Sequence, residues 1–230
     1  MHTKQNAKMP DSELILNPGP YYMLIGTNPR FCKYMNYTMA AQKVATFVSQ
    51  VYMSDNSPKY PYHNLDHTKA VVEHARQIGS YYNLSEEDLF ILTTAAWFHD
   101  IGQLLGDAAD HEQKSVLVLK NYLTHTELNL ELIGVVANCI LATQIGHKPI
   151  LLPEKIICDA DTWHFGTLYF RETEFLVQKE MEKRASTKFF NWHEKSLSML
   201  EQHTFYTDYC KSILQQGKLE NIEWLKSLAS

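Results

Sequence analysis

Imidazole and carboxylate side chains come together at four places in this chain: Tyr62-His63-Asn64-Leu65-Asp66-His67, Phe98-His99-Asp100, His111-Glu112 and Asp159-Ala160-Asp161. These are the donor types that hold a divalent cation of intermediate softness. The doublet His99-Asp100 is the most constrained of the four. Neighbouring residues on an α-helix point about 100° apart, so the pair converges on one ion only near a helix end, where the backbone relaxes. Ile101-Gly102 supplies such an end, and the run Thr94-Ala95-Ala96-Trp97-Phe98 before it is apolar. A ligand pair presented from a buried helix has this pattern.

Such a set needs a scaffold, and the scaffold reads as helical. The 230 residues are 45% hydrophobic and 12% aromatic, ample for a packed core and against disorder. Residues 1–35 read as an irregular arm, punctuated by Pro10, Pro18, Gly19, Pro20 and Pro29. From Tyr37 onward helix follows helix. Ala41, Val44, Ala45, Phe47, Val48 and Val51 recur at helical spacing, and Ala70, Val71, Ala75 and Ile78 follow on a second helix that Asp66 or a residue just before it would cap. Ser85 followed by Asp88 is a helix-start signal for the helix that carries His99. Asp110 or a neighbour is expected to cap the next helix and Thr126 the one after it, while Pro153 suits the first turn of the segment ending in Asp161. The tail from about residue 188 reads as two or three more helices, with Gly217 as a stop. No sustained period-2 alternation and no Asn-Gly or Asp-Gly hairpin is present. The expectation is an all-α, single-domain helical bundle: an arm at 1–35, a core at 36–185, and C-terminal helices at 186–230 packed on that core.

In their order along these helices, the four pieces resemble the HD superfamily of metal-dependent phosphohydrolases. The match runs through His67 opening a helix, the doublet His99-Asp100 followed by Ile-Gly, and a later aspartate in Asp159-Ala160-Asp161-Thr162-Trp163-His164-Phe165-Gly166. The segment Tyr62–His67 is also similar to the opening motif of cyclic-nucleotide phosphodiesterases, and the chain as a whole to a bacterial group of predicted HD-type hydrolases. The resemblance covers roughly residues 40–180 and implies an HD-type helical bundle. It assigns His67, His99, Asp100 and Asp161 as metal ligands, with Asp161 preferred to Asp159 because it opens a D-x-x-x-x-G stretch. In the phosphodiesterase branch the residue matching His63 is a proton donor to the leaving oxygen, a role an imidazolium near neutral pH can fill. Asp66 would orient it or merely cap the helix. The alternative for His63 is a structural histidine between Tyr62 and Asn64.

The resemblance also implies that His111 and Glu112 face the site. His111 would bind phosphate, hold water or complete a second metal site, and Glu112 would orient a metal-bound water. The plain alternative is a solvent-facing first helical turn. Lys114, His147 and Lys148 are the candidate phosphate contacts, and His147 is a second candidate for an extra metal. Two departures stand out. Gln103 occupies a position where many members carry lysine, and Trp163 and His164 replace the aliphatic and acidic residues common after the last ligand.

The leading expectation is hydrolysis of a phosphomonoester or phosphodiester of a nucleotide-like small molecule. The ion would be Mn, Fe, Co, Ni or Zn, with a second metal possible. A non-catalytic metal- and nucleotide-binding regulatory module is the alternative, and a di-iron oxygenase a more distant one. The net charge of −5 gives no basic face, so nucleic acid is not an expected partner. No run approaches the ~18 apolar residues of a membrane span. The scattered Cys32, Cys139, Cys158 and Cys210 and the absence of a signal-peptide pattern suit a cytoplasmic protein with reduced thiols, as a monomer or homodimer.

Overall fold

The structure, a computed structural model, describes residues 36–228 apart from residues 56, 107, 125 and 127–129. The expected arm at 1–35 lies outside the described residues, as does His125. Among the described residues there are nine α-helices and no strand: α1 (Tyr37–Met53), α2 (Leu65–Tyr81), α3 (Glu86–Phe98), α4 (His111–Leu123), α5 (Leu130–Ala142), α6 (Leu152–Asp161), α7 (Phe170–Ala185), α8 (Trp192–Gln202) and α9 (Asp208–Leu228). Short 3-10 turns at Ile101–Leu105 and Trp163–Gly166 follow α3 and α6. No helix among the described residues is long and apolar enough to cross a membrane.

Helix α3 is the axis of the bundle, in contact with α1, α2, α5 and α6. Every residue from Phe90 to Phe98 is buried, so it is apolar all round rather than amphipathic, as a central helix must be. Leu92 and Phe98 lose all solvent contact, a gain of roughly 1.5–3 kcal/mol each. Ser85 caps α3 as expected, accepting from the Asp88 amide and donating to the Asp88 carboxylate at 2.7 Å. The cap of α2 is the earlier of the two expected placements. Asn64, not Asp66, accepts from the amides of Asp66 and His67, because the helix begins at Leu65 and leaves Asp66 exposed within its first turn. Asp110 precedes α4 in a left-handed conformation (φ 54°) and makes no side-chain capping bond. Thr126 donates to the Leu123 carbonyl at the end of α4, and the start of α5 before Leu130 lies outside the described residues.

The tail folds back onto the core through α9, which crosses the Trp163–Gly166 turn and packs beside α8. Gly217 is not a stop: α9 runs through it without a break. A Cβ there would lie 2.1 Å from the Gly166 carbonyl oxygen, so the glycine marks a close crossing. Asn221 locks the same crossing by donating to the carbonyls of Phe165 and Thr167 at 3.0 and 2.8 Å. His203, which reads as a surface or cap residue in the sequence, is the C-cap of α8, and its ring packs between Phe165 and Phe205 with Nε2 3.0 Å from the Thr162 hydroxyl. Burial pushes its imidazole down to about 3.

Candidate metal centre

Three helices deliver the donors. His67 stands in the first turn of α2, His99 and Asp100 at the end of α3, and Asp161 at the end of α6. Imidazole nitrogens and carboxylate oxygens meet there: His67 Nε2 lies 3.4 Å from Asp100 Oδ2 and 3.2 Å from Asp161 Oδ1, and His99 Nε2 3.3 and 3.5 Å from the same two atoms. Donor atoms of His67, His99 and Asp161 all fall within 4.8 Å of one another. Donors that share one ion at about 2.0–2.2 Å, at angles between square and tetrahedral, are separated by about 3.0–3.5 Å. The spacing found is that of a ligand shell.

The turn after the doublet is built to hold it. His99 Nδ1 donates to the Ala96 carbonyl at 2.8 Å, which aims Nε2 into the cluster. Ser115 of α4 donates to the His99 carbonyl at 2.7 Å and accepts from the Gly102 amide at 2.9 Å. Gly102 is required by this approach, since a Cβ would sit 2.0 Å from the His111 carbonyl oxygen.

The electrostatics favour charge separation in a dry place. His99 is fully buried and Asp100 is 4% exposed. Burial alone would push the His67 and His99 imidazoles down, but the Asp100 and Asp161 carboxylates outweigh it and raise both. The carboxyls of Asp100 and Asp161 are held below the usual range against their own desolvation, chiefly by His99 in the first case and by His67 and His99 in the second. Even so, the buried Nε2 atoms of His67 and His99 have no properly aligned hydrogen-bond partner. Unpartnered buried nitrogens are costly, and a cation among mixed nitrogen and oxygen donors would satisfy both. The residues therefore fit a divalent metal.

Asp159, the alternative ligand, is turned the other way. It is fully buried and accepts from the Tyr206 and Thr207 amides at 2.7 Å each and from the Thr207 hydroxyl at 2.6 Å. It ties α6 to the segment that opens α9.

His111 and Glu112 lie on the far side of Asp100. His111 Nε2 is 3.3 Å from Asp100 Oδ1 and 3.4 Å from Glu112 Oε1, while its Nδ1 donates to the Ala108 carbonyl. Glu112 is buried, not the solvent-facing first-turn acid of the plain alternative. Lys114 stands half-buried beside Gly102 on α4. His147 and Lys148 are exposed in the connection between α5 and α6, and among the described residues neither makes a side-chain contact with the cluster. Gln103 is buried at 2% exposure.

His63 is oriented, but not by Asp66. Its Nδ1 donates to Glu180 Oε1 at 2.7 Å, and Glu180 Oε2 accepts from the amides of Tyr62 and His63 at 3.1 and 3.0 Å. Glu180 comes from α7, is fully buried, and is also bound by Arg184 at 2.6 Å. His63 and these donors hold its carboxyl down to about 2 although burial opposes them. The His63 ring lies 6.0 Å from that of His67. Sequence reasoning missed Glu180, for it sits among many charges on α7 and nothing local marks it as buried.

A second feature also escaped it. A cleft of about 580 Å³ opens beside His67 and Asp161, between α2 and the Trp163–Gly166 turn. His164 lines it with a nitrogen 3.2 Å from the Tyr62 hydroxyl, and burial pushes its imidazole down to about 3. His74 stacks on Trp163, ring centroids 4.4 Å apart at 9°, and is likewise pushed down to about 4 by burial. The departures at Trp163 and His164 thus form the wall of this cleft.

Residues 64–166 match the HD domain family model. No curated protein is significantly similar to the chain. Among solved structures, a predicted HD superfamily hydrolase from an uncultured Thermotogales bacterium shares 19% identity, covering 85% of this chain and 98% of that one with a TM-score of 0.55. Bacillus subtilis YpgQ in complex with ADP shares 20% identity over 84% of this chain and 95% of its own, with a TM-score of 0.59. A Lactobacillus plantarum protein shares 16% over 85% and 97%, with a TM-score of 0.62. The chain shares with these proteins an all-α fold of the HD type, and the match to the HD domain model spans residues 64–166.

Proposed function

We propose that the chain is a metal-dependent phosphohydrolase acting on a phosphomonoester or phosphodiester of a nucleotide-like small molecule. The observation that carries this reading is the pair of buried, unpartnered Nε2 atoms of His67 and His99 facing the carboxylates of Asp100 and Asp161. His67, His99, Asp100 and Asp161 would hold an ion of the Mn, Fe, Co, Ni or Zn type. Such an ion supplies Lewis-acid polarisation of a phosphoryl oxygen and lowers the pKa of bound water. The HD domain supports hydrolysis, and the nucleotide held by the YpgQ structure supports the substrate class.

The chain's own groups have separate tasks. His63 protonates the departing oxygen, and the Glu180 carboxylate fixes its ring. His111 and Glu112, beside the other oxygen of Asp100, hold the phosphoryl group and the attacking water. Metal analysis and turnover of nucleoside monophosphates, cyclic nucleotides and simple phosphomonoesters test the reading together. One bound ion per chain with hydrolysis of at least one of these classes is expected. Full metal occupancy with no turnover of any would overturn it in favour of a binding module. Two ions per chain would assign the second to His111 and Glu112.

A further inference from the structure

One buried cation has no task in the chemistry so far: Arg184, in the last turn of α7. A basic residue at a helix end commonly reaches into solvent, where it meets the negative end of the helix and gains little from a carboxylate one turn back. Arg184 does the opposite. Only 14% of its side chain is exposed, and Nη2 donates to Glu180 Oε1 at 2.6 Å. The guanidinium lies over the Tyr60 ring, Cζ 3.8 Å from the centroid. Tyr60 belongs to the segment that carries His63, which Asn64 holds by donating to the Pro61 carbonyl at 3.0 Å. The Nε and Nη1 atoms of Arg184 are buried without a hydrogen-bond partner among the described residues. Stranded buried donors make this pair a poor device for stability.

What the pair does is set the direction of every bond at Glu180. A guanidinium only donates, and so do the amides of Tyr62 and His63 on Oε2. Glu180 is therefore an acceptor at both oxygens, and His63 Nδ1, 2.7 Å from the same Oε1, keeps its hydrogen. Nε2 is the nitrogen left to give a proton. Charge points the same way. The Glu180 side chain has no exposure, so a carboxylate paired with His63 alone would become an uncompensated buried anion once the ring gave its proton up. The permanent charge of Arg184 compensates it before and after.

We propose that Arg184 is a positioning residue for proton donation by His63, holding Glu180 as the acceptor that keeps the ring turned while Nε2 delivers its proton. As the P–O bond breaks, its electron pair stays on the departing oxygen, which takes the Nε2 proton, and the ring is left neutral with its Nδ1 hydrogen still on Glu180. The role rests on the phosphohydrolase reading, but the clamp is tested without turnover.

For Mn²⁺-loaded protein, turnover of 4-nitrophenyl phosphate, whose phenolate leaves without a proton, is compared with that of benzyl phosphate, whose alkoxide needs one. Arg184→Gln should change kcat for the first by less than about twofold and lower it for the second by about tenfold. Arg184→Lys, which returns the charge without the planar fork, should recover part of that ratio. Separately, proton NMR of protein with isotope-labelled histidine follows exchange of the His63 Nδ1 hydrogen with water, its resonance identified by its loss in His63→Gln. Removing a charge-assisted bond to Glu180 should speed that exchange about tenfold or more in Arg184→Gln. An equal fall for both esters, the mark of a merely structural role, overturns the proposal, and so does unchanged exchange in a variant with intact circular dichroism and Mn²⁺ content. Where wild type turns over neither ester, the exchange rate alone decides. Faster exchange in the variant with no turnover of any phosphoester by wild type would overturn the phosphohydrolase reading and leave the clamp standing. If Arg184→Gln does not fold, Arg184→Lys carries both measurements.

Discussion

Helix α6 ends with two buried or half-buried carboxylates a single residue apart, and they live in opposite worlds. Asp159 faces the tail, where two amides and a hydroxyl satisfy it. Asp161 faces the core, where it meets the imidazoles of His67 and His99 and keeps a quarter of its side chain in solvent. One region is closed on itself, and the other holds nitrogens that nothing in the described chain saturates. A buried polar group with every partner present is a structural tie, whereas one left short is a place reserved for something else. The comparison separates residues that hold the protein together from residues that hold its chemistry.

The sharpest way to break it is to remove an imidazole. His99→Ala should lower metal content from one ion per chain to near zero and activity by about 10³-fold or more, as read by elemental analysis and initial rates. Saturating wild type with metal at ~100 times Kd should add about 2.7 kcal/mol, a rise in Tm of about 5–10 °C that the variant lacks. The pH dependence has a defined sign. His67 and His99 are raised by their carboxylate neighbours in the ion-free protein, so each must release a proton before its nitrogen can ligate. Metal affinity should therefore climb as pH rises above the ordinary imidazole value of about 6.5, and a fall would refute the ligand assignment.

Asp159→Ala is the converse test. It strands two amides and a hydroxyl, so stability should drop by about 2–4 kcal/mol in urea unfolding. Metal content should stay at the wild-type level. Loss of metal with little loss of stability would reverse the roles of the two aspartates.

The smallest expected effect sharpens the comparison at His63. Glu180→Gln keeps the shape of the clamp and removes its charge, so kcat should fall about tenfold. Stability carries its own signature. The Glu180 carboxyl goes from 4.5 down to about 2 on folding, so its stabilisation is present above 4.5 and is lost as pH falls toward about 2. The variant should show a flatter decline in unfolding midpoint over that range.

Much of this was legible in the chain itself, wherever the cause is local. The apolar periodicity of α1, the Ser85 start of α3, the proline opening α6 and the doublet before Ile101-Gly102 all lie within a few residues of what they determine. The cap of α2 stayed open between Asp66 and a residue just before it because two polar residues near one helix start compete for the cap, and only the backbone decides which amide faces which oxygen. Gly217 was misread because a helix-interior glycine and a helix-end glycine are the same letter, and the Gly166 carbonyl that demands it is far along the chain.

What the amino-acid order determined by itself is the set of helices and the kinds of donor they carry, since periodicity and ligand chemistry are properties of short stretches. Only the packed chain decided that Asp161 turns to the imidazoles and Asp159 to residues 206–207, that Glu180 rather than Asp66 holds His63, and that Trp163 walls a cleft. The physical reason is that a side chain's partners are set by the crossing of distant helices, and charge, burial and unsatisfied valence exist only once those crossings are made.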